Sequence, residues 1–200
     1  MNKKFIFKII FILKLFLNKY KMKKKYYNSN IQMHPKVIDD ICKDCVHKKM
    51  LVWGLGYDTP LWWNVADNNT YFIESKDMYI ELNKDIPDKN IVKYTYPDIN
   101  VRQSLDYPEK FISRNVPESI LKLGYFDVII IDGPYGNSDN GPGRLLPIYW
   151  SLNYLSKPNT VIYIDDSNRE LEAFCIKKYC KPDQIVKKYP YRKGTIKYIV

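Results

Sequence analysis

Several features that would identify a common class of protein are missing from this sequence. No Gly-Lys-Ser or Gly-Lys-Thr triplet is present, which argues against a triphosphate-binding P-loop. Only four cysteines occur, with Cys42 and Cys45 close together and Cys175 and Cys180 far along the chain. Two nearby cysteines followed by one histidine are a weak zinc signal, so we expect free thiols in a reducing compartment.

Excess basic charge is missing from most of the chain. The formal net charge is +10, but residues 1–25 contain nine lysines and no acidic residue. The remaining residues carry 23 basic and 22 acidic groups, so this part is nearly neutral. A nucleic-acid partner favours a basic surface on the globular part, and we therefore expect none.

An apolar run of membrane-spanning length is also missing. Residues 5–17 are shorter than the roughly 20 residues that cross a bilayer, and Lys8 and Lys14 interrupt them. No small-residue cleavage site is evident. A signal anchor, a basic segment of residues 1–25 lying on an anionic membrane surface, and a disordered extension all fit this composition. We predict a tail at residues 1–32 and one domain at residues 33–200.

The domain is predicted to alternate strands and helices. Predicted strands lie at residues 50–53, 70–73, 91–96, 126–131 and 160–164, followed by a closing pair at 184–189 and 195–200. Residues 126–131 are apolar without alternation, which is typical of a central parallel strand covered on both faces. Predicted helices lie at residues 35–47, 78–82, 111–123, 145–155 and 171–179, with another beginning at Asp58 or Thr59; residues 101–105 are interpreted as a short extended piece. The pattern indicates an α/β fold with a mostly parallel, doubly wound sheet and a terminal antiparallel pair.

Glycines and an acid follow the first two predicted strands, at the edge where such sheets bind ligands. Glu74 stands 18 residues after Gly56, close to the spacing of an acid that accepts hydrogen bonds from ribose hydroxyls. Thr59 occupies the place of the third glycine in the dinucleotide pattern, so a pyrophosphate is not indicated. S-adenosylmethionine contains adenosine and no phosphate, and it is the predicted cofactor of a Rossmann-like class I methyltransferase fold. The predicted cofactor-binding residues are Gly54, Gly56, Asp58, Glu74 and Asp132.

Three aspartates follow the fourth and fifth predicted strands and form the predicted catalytic set: Asp132, Asp165 and Asp166. A hydroxyl group is a poor nucleophile at neutral pH, so its methylation needs a positioned base, a metal ion, or both. One carboxylate could take the hydroxyl proton, or the same three residues could hold Mg²⁺ or Mn²⁺. Asp166 could instead cap the following helix.

Five segments carry a resemblance to a known family: VWGLGYDTPLW, YFIESKDMYIE, FDVIIIDGPYG, GPGR and IDDSNR. Their order and spacing resemble the glucuronoxylan 4-O-methyltransferase and xylan-biosynthesis family of plants over roughly residues 48–180. The resemblance implies S-adenosylmethionine-dependent methylation of a sugar hydroxyl, and hence a carbohydrate acceptor that contains glucuronic acid. This chain has Tyr57 and Asp165 where that family has histidine, and these departures bear on the acceptor sugar.

Arg144 and Tyr135 are predicted to bind the acceptor. The planar guanidinium of Arg144 suits the carboxylate of a uronic acid, although it could instead staple the Gly-rich loop to a nearby acid. The Tyr135 ring could stack on a sugar. The resemblance also implies a Golgi-type anchor, while the short tail leaves membrane-associated and cytoplasmic locations open. A catechol-type small-molecule methyltransferase, an RNA methyltransferase and a non-catalytic scaffold of polysaccharide synthesis are the alternatives.

Overall fold

The computed structural model describes residues 30–200, which form one seven-stranded sheet with the order β3-β2-β1-β4-β5-β7-β6. The strands are β1 (Met50–Trp53), β2 (Thr70–Glu74), β3 (Ile91–Lys93), β4 (Phe126–Ile131), β5 (Ser156–Asp165), β6 (Ile185–Tyr189) and β7 (Thr195–Ile199). Strands β1 to β5 pair in parallel, whereas β7 is antiparallel to both β5 and β6. The predicted doubly wound sheet with a terminal antiparallel pair is confirmed.

The central strands are buried on both faces, as the apolar run in β4 predicts. Alternate residues of β4 enter two separate hydrophobic clusters, with Ile129 and Ile131 on one side of the sheet and Val128 and Ile130 on the other. Helices cover both faces. They are α1 (Pro35–Asp44), α2 (Thr59–Val65), α3 (Asp77–Leu82), α4 (Val101–Asp106), α5 (Pro108–Ile112), α6 (Glu118–Leu121), α7 (Leu145–Trp150), which continues as a π-turn over Ser151–Leu155, and α8 (Glu170–Tyr179).

One predicted element is wrong. Residues 101–105 form the helix α4 rather than an extended piece. The side chain of Asn100 accepts a hydrogen bond from the backbone N–H of Gln103 at 2.9 Å, which caps the helix. Val101 and Ser104 are then buried on one face, at the spacing of a helical turn. The cap and this packing decide the helical conformation of the segment.

The packed part of the chain begins before the predicted boundary at residue 33. Ile31 is buried in the same cluster as α1, and residues 1–29 of the predicted tail lie outside the described residues. Across residues 30–200, no helix combines the length and apolar character needed to cross a bilayer. All four cysteines are buried and form no disulfide.

Candidate active site

A cavity of about 480 Å³ opens at the C-terminal edge of the parallel strands. This volume is in the range of pockets that hold small molecules and cofactors. All nine residues predicted for the site line it: Gly54, Gly56, Asp58, Glu74, Asp132, Tyr135, Arg144, Asp165 and Asp166. They come together because every parallel strand of the sheet ends at this edge.

Gly54 allows the ends of β1 and β4 to touch. Its φ is +109°, and a Cβ atom built there would lie 3.3 Å from the backbone nitrogen of Gly133. A Cβ on Gly133 would in turn lie 2.9 Å from the Cα of Gly54. Side chains at either place would separate the two strand ends, so the glycines leave bare backbone at the cavity floor.

Glu74 organises the loop after β1 through its carboxylate. Oε2 accepts a hydrogen bond from the backbone N–H of Leu55 at 2.8 Å. Oε1 accepts from the backbone N–H groups of Ser75 at 2.6 Å and Lys76 at 2.8 Å. The side chain is buried yet lines the cavity. The acid predicted for ribose recognition therefore also holds the glycine loop in shape.

Thr59 contributes to the loop from the place where a dinucleotide site has glycine. Its Oγ1 accepts a hydrogen bond from the backbone N–H of Gly56 at 2.9 Å, and Asn83 Nδ2 donates to the carbonyl of Gly56 at 3.2 Å. Asp58 accepts from Trp62 Nε1 at 2.7 Å and makes no side-chain cap of α2. Burial raises the pKa of Asp58.

The carboxylates of Asp132, Asp165 and Asp166 form an acidic triad. One oxygen atom from each lies within 4.8 Å of the others, which is the only such grouping of possible metal ligands among residues 30–200. Burial raises the pKa of Asp132 well above its ordinary value; the neighbouring charge of Asp165 adds to the effect, and Arg144 opposes it. An ionised carboxylate with a raised pKa is a stronger base than an ordinary aspartate.

Arg144 contacts all three residues of the triad, two through their carboxylates and Asp165 through its backbone carbonyl. Its side chain is 3 % exposed; Nη2 contacts Asp132 Oδ1 at 3.1 Å and Asp166 Oδ2 at 2.8 Å. The same nitrogen donates to the carbonyl of Asp132, and Nη1 donates to the carbonyl of Asp165. These contacts favour the alternative in which Arg144 staples the loop to nearby acids, since its donors are directed at protein oxygens.

Tyr135 lies at the cavity mouth and is 46 % exposed. The Nζ atom of Lys76 lies 4.1 Å from the centre of its ring, so one face carries a cation–π contact. By contrast Trp62 and Trp150 are buried in the hydrophobic clusters. Tyr135 is thus positioned to contact a ligand, and those tryptophans are part of the core.

Sequence reasoning missed a wall of the cavity made of two segments far apart in the chain. Residues 30–34 meet residues 191–193, the turn between β6 and β7, and both groups line the cavity. The rings of His34 and Tyr191 stack with centroids 3.5 Å apart, and Arg192 Nη1 donates to the carbonyl of Gln32. No motif marks this contact, because it depends on where α1 and the final hairpin meet.

Glu172 was also missed. It is fully buried in α8, and neither carboxylate oxygen has a hydrogen-bond partner within residues 30–200. Burial raises its pKa, and the charge of Arg144 opposes the shift. The signal available in the sequence is its spacing of three residues from Cys175, which puts both side chains on the buried face of α8.

The sheet order, the glycine loop after β1 and the acid ending β2 define a class I methyltransferase fold. Solved structures of methyltransferases superpose on this fold. A proposed caffeoyl-CoA O-methyltransferase of Staphylococcus aureus superposes with a TM-score of 0.54 at 14% identity, over 92% of this chain and 99% of that one. The methyltransferase PaMTH1 of Podospora anserina, bound to S-adenosylhomocysteine, gives 0.51 at 11% identity, over 98% and 95% of the two chains. MycE, in complex with Mg and S-adenosylhomocysteine, gives 0.50 at 14% identity, over 90% and 48%.

The resemblance inferred from the motifs is confirmed among curated proteins. Protein IRREGULAR XYLEM 15 of Arabidopsis thaliana is 27% identical over 70% of this chain and 52% of its own length. Glucuronoxylan 4-O-methyltransferase 1 of the same plant is 26% identical over 67% of this chain and 57% of its own length. The chain thus spans a little over half the length of these relatives. No protein-family profile matches it.

Proposed function

We propose that this chain is an S-adenosylmethionine-dependent O-methyltransferase that modifies a sugar hydroxyl of a glycan containing glucuronic acid. The observation that carries the proposal is the acidic triad at the ends of β4 and β5, which opens into the same cavity as the glycine loop and Glu74. A base and a cofactor pocket in one cavity are what hydroxyl methylation requires. The glucuronoxylan methyltransferase relatives support the choice of acceptor.

The cofactor is assigned to the half of the cavity under β1 and β2. The bare backbone at Gly54 suits close approach of the methionine part. Within residues 30–200, Glu74 Oε2 accepts only the N–H of Leu55, so this oxygen has a lone pair left for a ribose hydroxyl. Asp132 begins the loop after β4 and lines the same cavity, next to this half. The negative triad also favours the positive sulfonium.

Asp132 is assigned as the general base. Its carboxylate would accept the proton of the acceptor O–H. When bound, S-adenosylmethionine would supply the methyl group to the acceptor oxygen, with cleavage of its methyl–sulfur bond, and leave as S-adenosylhomocysteine. Arg144 holds Asp132 by its Nη2 contact and balances part of the charge of the triad. Asp165 is held by Thr195 Oγ1, which donates to its Oδ1 at 2.6 Å.

The triad also fits a divalent cation. Three carboxylates supply the hard oxygen ligands that Mg²⁺ and Mn²⁺ prefer. Within residues 30–200, one oxygen of each carboxylate is used by Arg144, Arg169 or Thr195 and the other forms no hydrogen bond. Asp132, Asp165 and Asp166 would hold the ion, which would lower the pKa of the acceptor hydroxyl.

A small phenol is the second candidate acceptor, because the same triad would serve catechol-type chemistry and the fold matches a proposed caffeoyl-CoA O-methyltransferase. The deciding experiment is methyl transfer from labelled S-adenosylmethionine to glucuronic-acid-bearing xylo-oligosaccharides and to catechols, with and without chelator. Label in the sugar supports the proposal. Label in the phenol alone would contradict the proposed sugar acceptor. Calorimetry that detects no S-adenosylmethionine binding would favour a non-catalytic scaffold.

A further inference from the structure

On the proposed function, the cavity has a cofactor side and an acceptor side. The sheet order places β2 on one side of β1 and β4, β5 and β7 on the other. The glycine loop and Glu74 occupy the first side. The second side is closed by residues 30–34 and by the turn between β6 and β7, so this wall faces whatever accepts the methyl group.

The backbone of Lys193 is fixed beside the acidic triad. Its carbonyl accepts a hydrogen bond from the backbone N–H of Asn168 at 2.8 Å, and the next carbonyl, of Gly194, accepts from Ser167 at 3.0 Å. These two donors directly follow Asp165 and Asp166 in the chain. The turn is also pressed closely against them, since a Cβ on Gly194 would lie 2.7 Å from Asn168 Nδ2.

Lys193 is an exposed residue of the cavity lining. Within the described part of the chain, its side chain forms no ion pair or hydrogen bond. The nearby acids contact other residues: Arg144 contacts Asp132 and Asp166, Arg169 also contacts Asp166, and Thr195 holds Asp165. A lysine in the lining of a pocket, with no carboxylate paired to it, suits a ligand that brings its own negative charge.

We propose that Lys193 is a specificity-determining residue that binds the carboxylate of an acidic sugar acceptor. The inference rests on the proposed function and gives to Lys193 the role that the sequence suggested for Arg144. In a uronic acid, the carboxylate is attached to the ring carbon next to the one bearing the 4-hydroxyl. One sugar can therefore present its hydroxyl to Asp132 and its carboxylate to the wall.

The test compares Lys193→Met, which removes the charge and keeps an apolar stem, with Lys193→Arg, which restores a charge. Lys188→Met, on the exposed face of β6 and outside the cavity lining, is the control. Acceptors are a glucuronic-acid-bearing xylo-oligosaccharide and its carboxyl-reduced form. We expect Lys193→Met to raise the KM for the acidic acceptor about tenfold or more, with kcat changed less than about twofold. The KM for the reduced acceptor stays unchanged, and Lys193→Arg recovers most of the loss.

Equal effects of Lys193→Met on both acceptors, or no effect on either, would overturn the assignment. Calorimetry of the acidic oligosaccharide with S-adenosylhomocysteine present separates this result from failure of the proposed function. If neither sugar is methylated, a tenfold weaker binding by Lys193→Met still supports the carboxylate site. A wild-type protein that shows no preference for the acidic over the reduced sugar in binding rejects it. Unchanged S-adenosylmethionine affinity and circular dichroism establish that the variant is folded.

Discussion

Replacing Glu74 by Gln tests whether the carboxylate both shapes the glycine loop and supports cofactor binding. The carboxylate accepts hydrogen bonds on both sides, from Leu55 N–H on Oε2 and from Ser75 and Lys76 N–H on Oε1. A glutamine has one acceptor oxygen. Its least costly orientation keeps the two bonds on the Oε1 side and turns its NH₂ group toward the N–H of Leu55.

That orientation loses one buried, charge-assisted hydrogen bond and places two donors against each other. We expect the free energy of unfolding to fall by about 1.5–3 kcal/mol. A domain stability of roughly 5–15 kcal/mol leaves the variant folded. The displaced loop should also weaken S-adenosylmethionine binding by about tenfold or more, because a loss of 1.4 kcal/mol corresponds to a factor of ten.

Urea unfolding and calorimetry measure the two effects. The control is Glu81→Gln on α3, whose carboxylate is 79% exposed in its contact with Lys84 and should change stability by less than about 0.5 kcal/mol. Wild-type stability in Glu74→Gln would refute the role in shaping the loop. Unchanged cofactor affinity would show that the cofactor lies elsewhere than at the ends of β1 and β2.

Three further changes test other parts of the site. Asp132→Asn should lower kcat about 10²–10⁴-fold and change cofactor affinity far less. In the wild type, the rate should fall as pH decreases through the pKa of Asp132, which burial raises above that of an ordinary aspartate. Glu172→Gln should stabilise the protein by about 1 kcal/mol at pH 8 in thermal or urea unfolding. The pKa of this buried acid is raised on folding, so the wild type loses stability as pH rises above the unfolded value, and the variant should lack that loss. Gly143→Ala should destabilise by about 2–4 kcal/mol, since φ is +67° and the new Cβ would lie 2.3 Å from Leu171 Cδ2. Gly124→Ala, at a similar φ but with open space, should cost only about 1–2 kcal/mol, and equal losses in the two variants would contradict the packing argument.

The sequence by itself determined the sheet and the edge at which the site lies. The unbroken apolar run of β4 and the residues that follow each strand are local features. The carboxyl ends of parallel strands must meet, so Gly54, Glu74, Asp132 and Asp165 could be placed at one edge without coordinates. The extended piece predicted at residues 101–105 was wrong because the Asn100 cap and the burial of Val101 and Ser104 decide its conformation.

Only the tertiary structure decided how the charges are paired. Arg144 lies 12 to 22 residues from the acids it contacts, and nothing in the local pattern states that it faces them rather than a ligand. The wall formed by residues 30–34 and 191–193 joins segments from opposite ends of the described chain. Spacing along the chain predicts which residues lie at a strand end. The ion pairs that those residues form depend on distances that only the packing of the chain establishes.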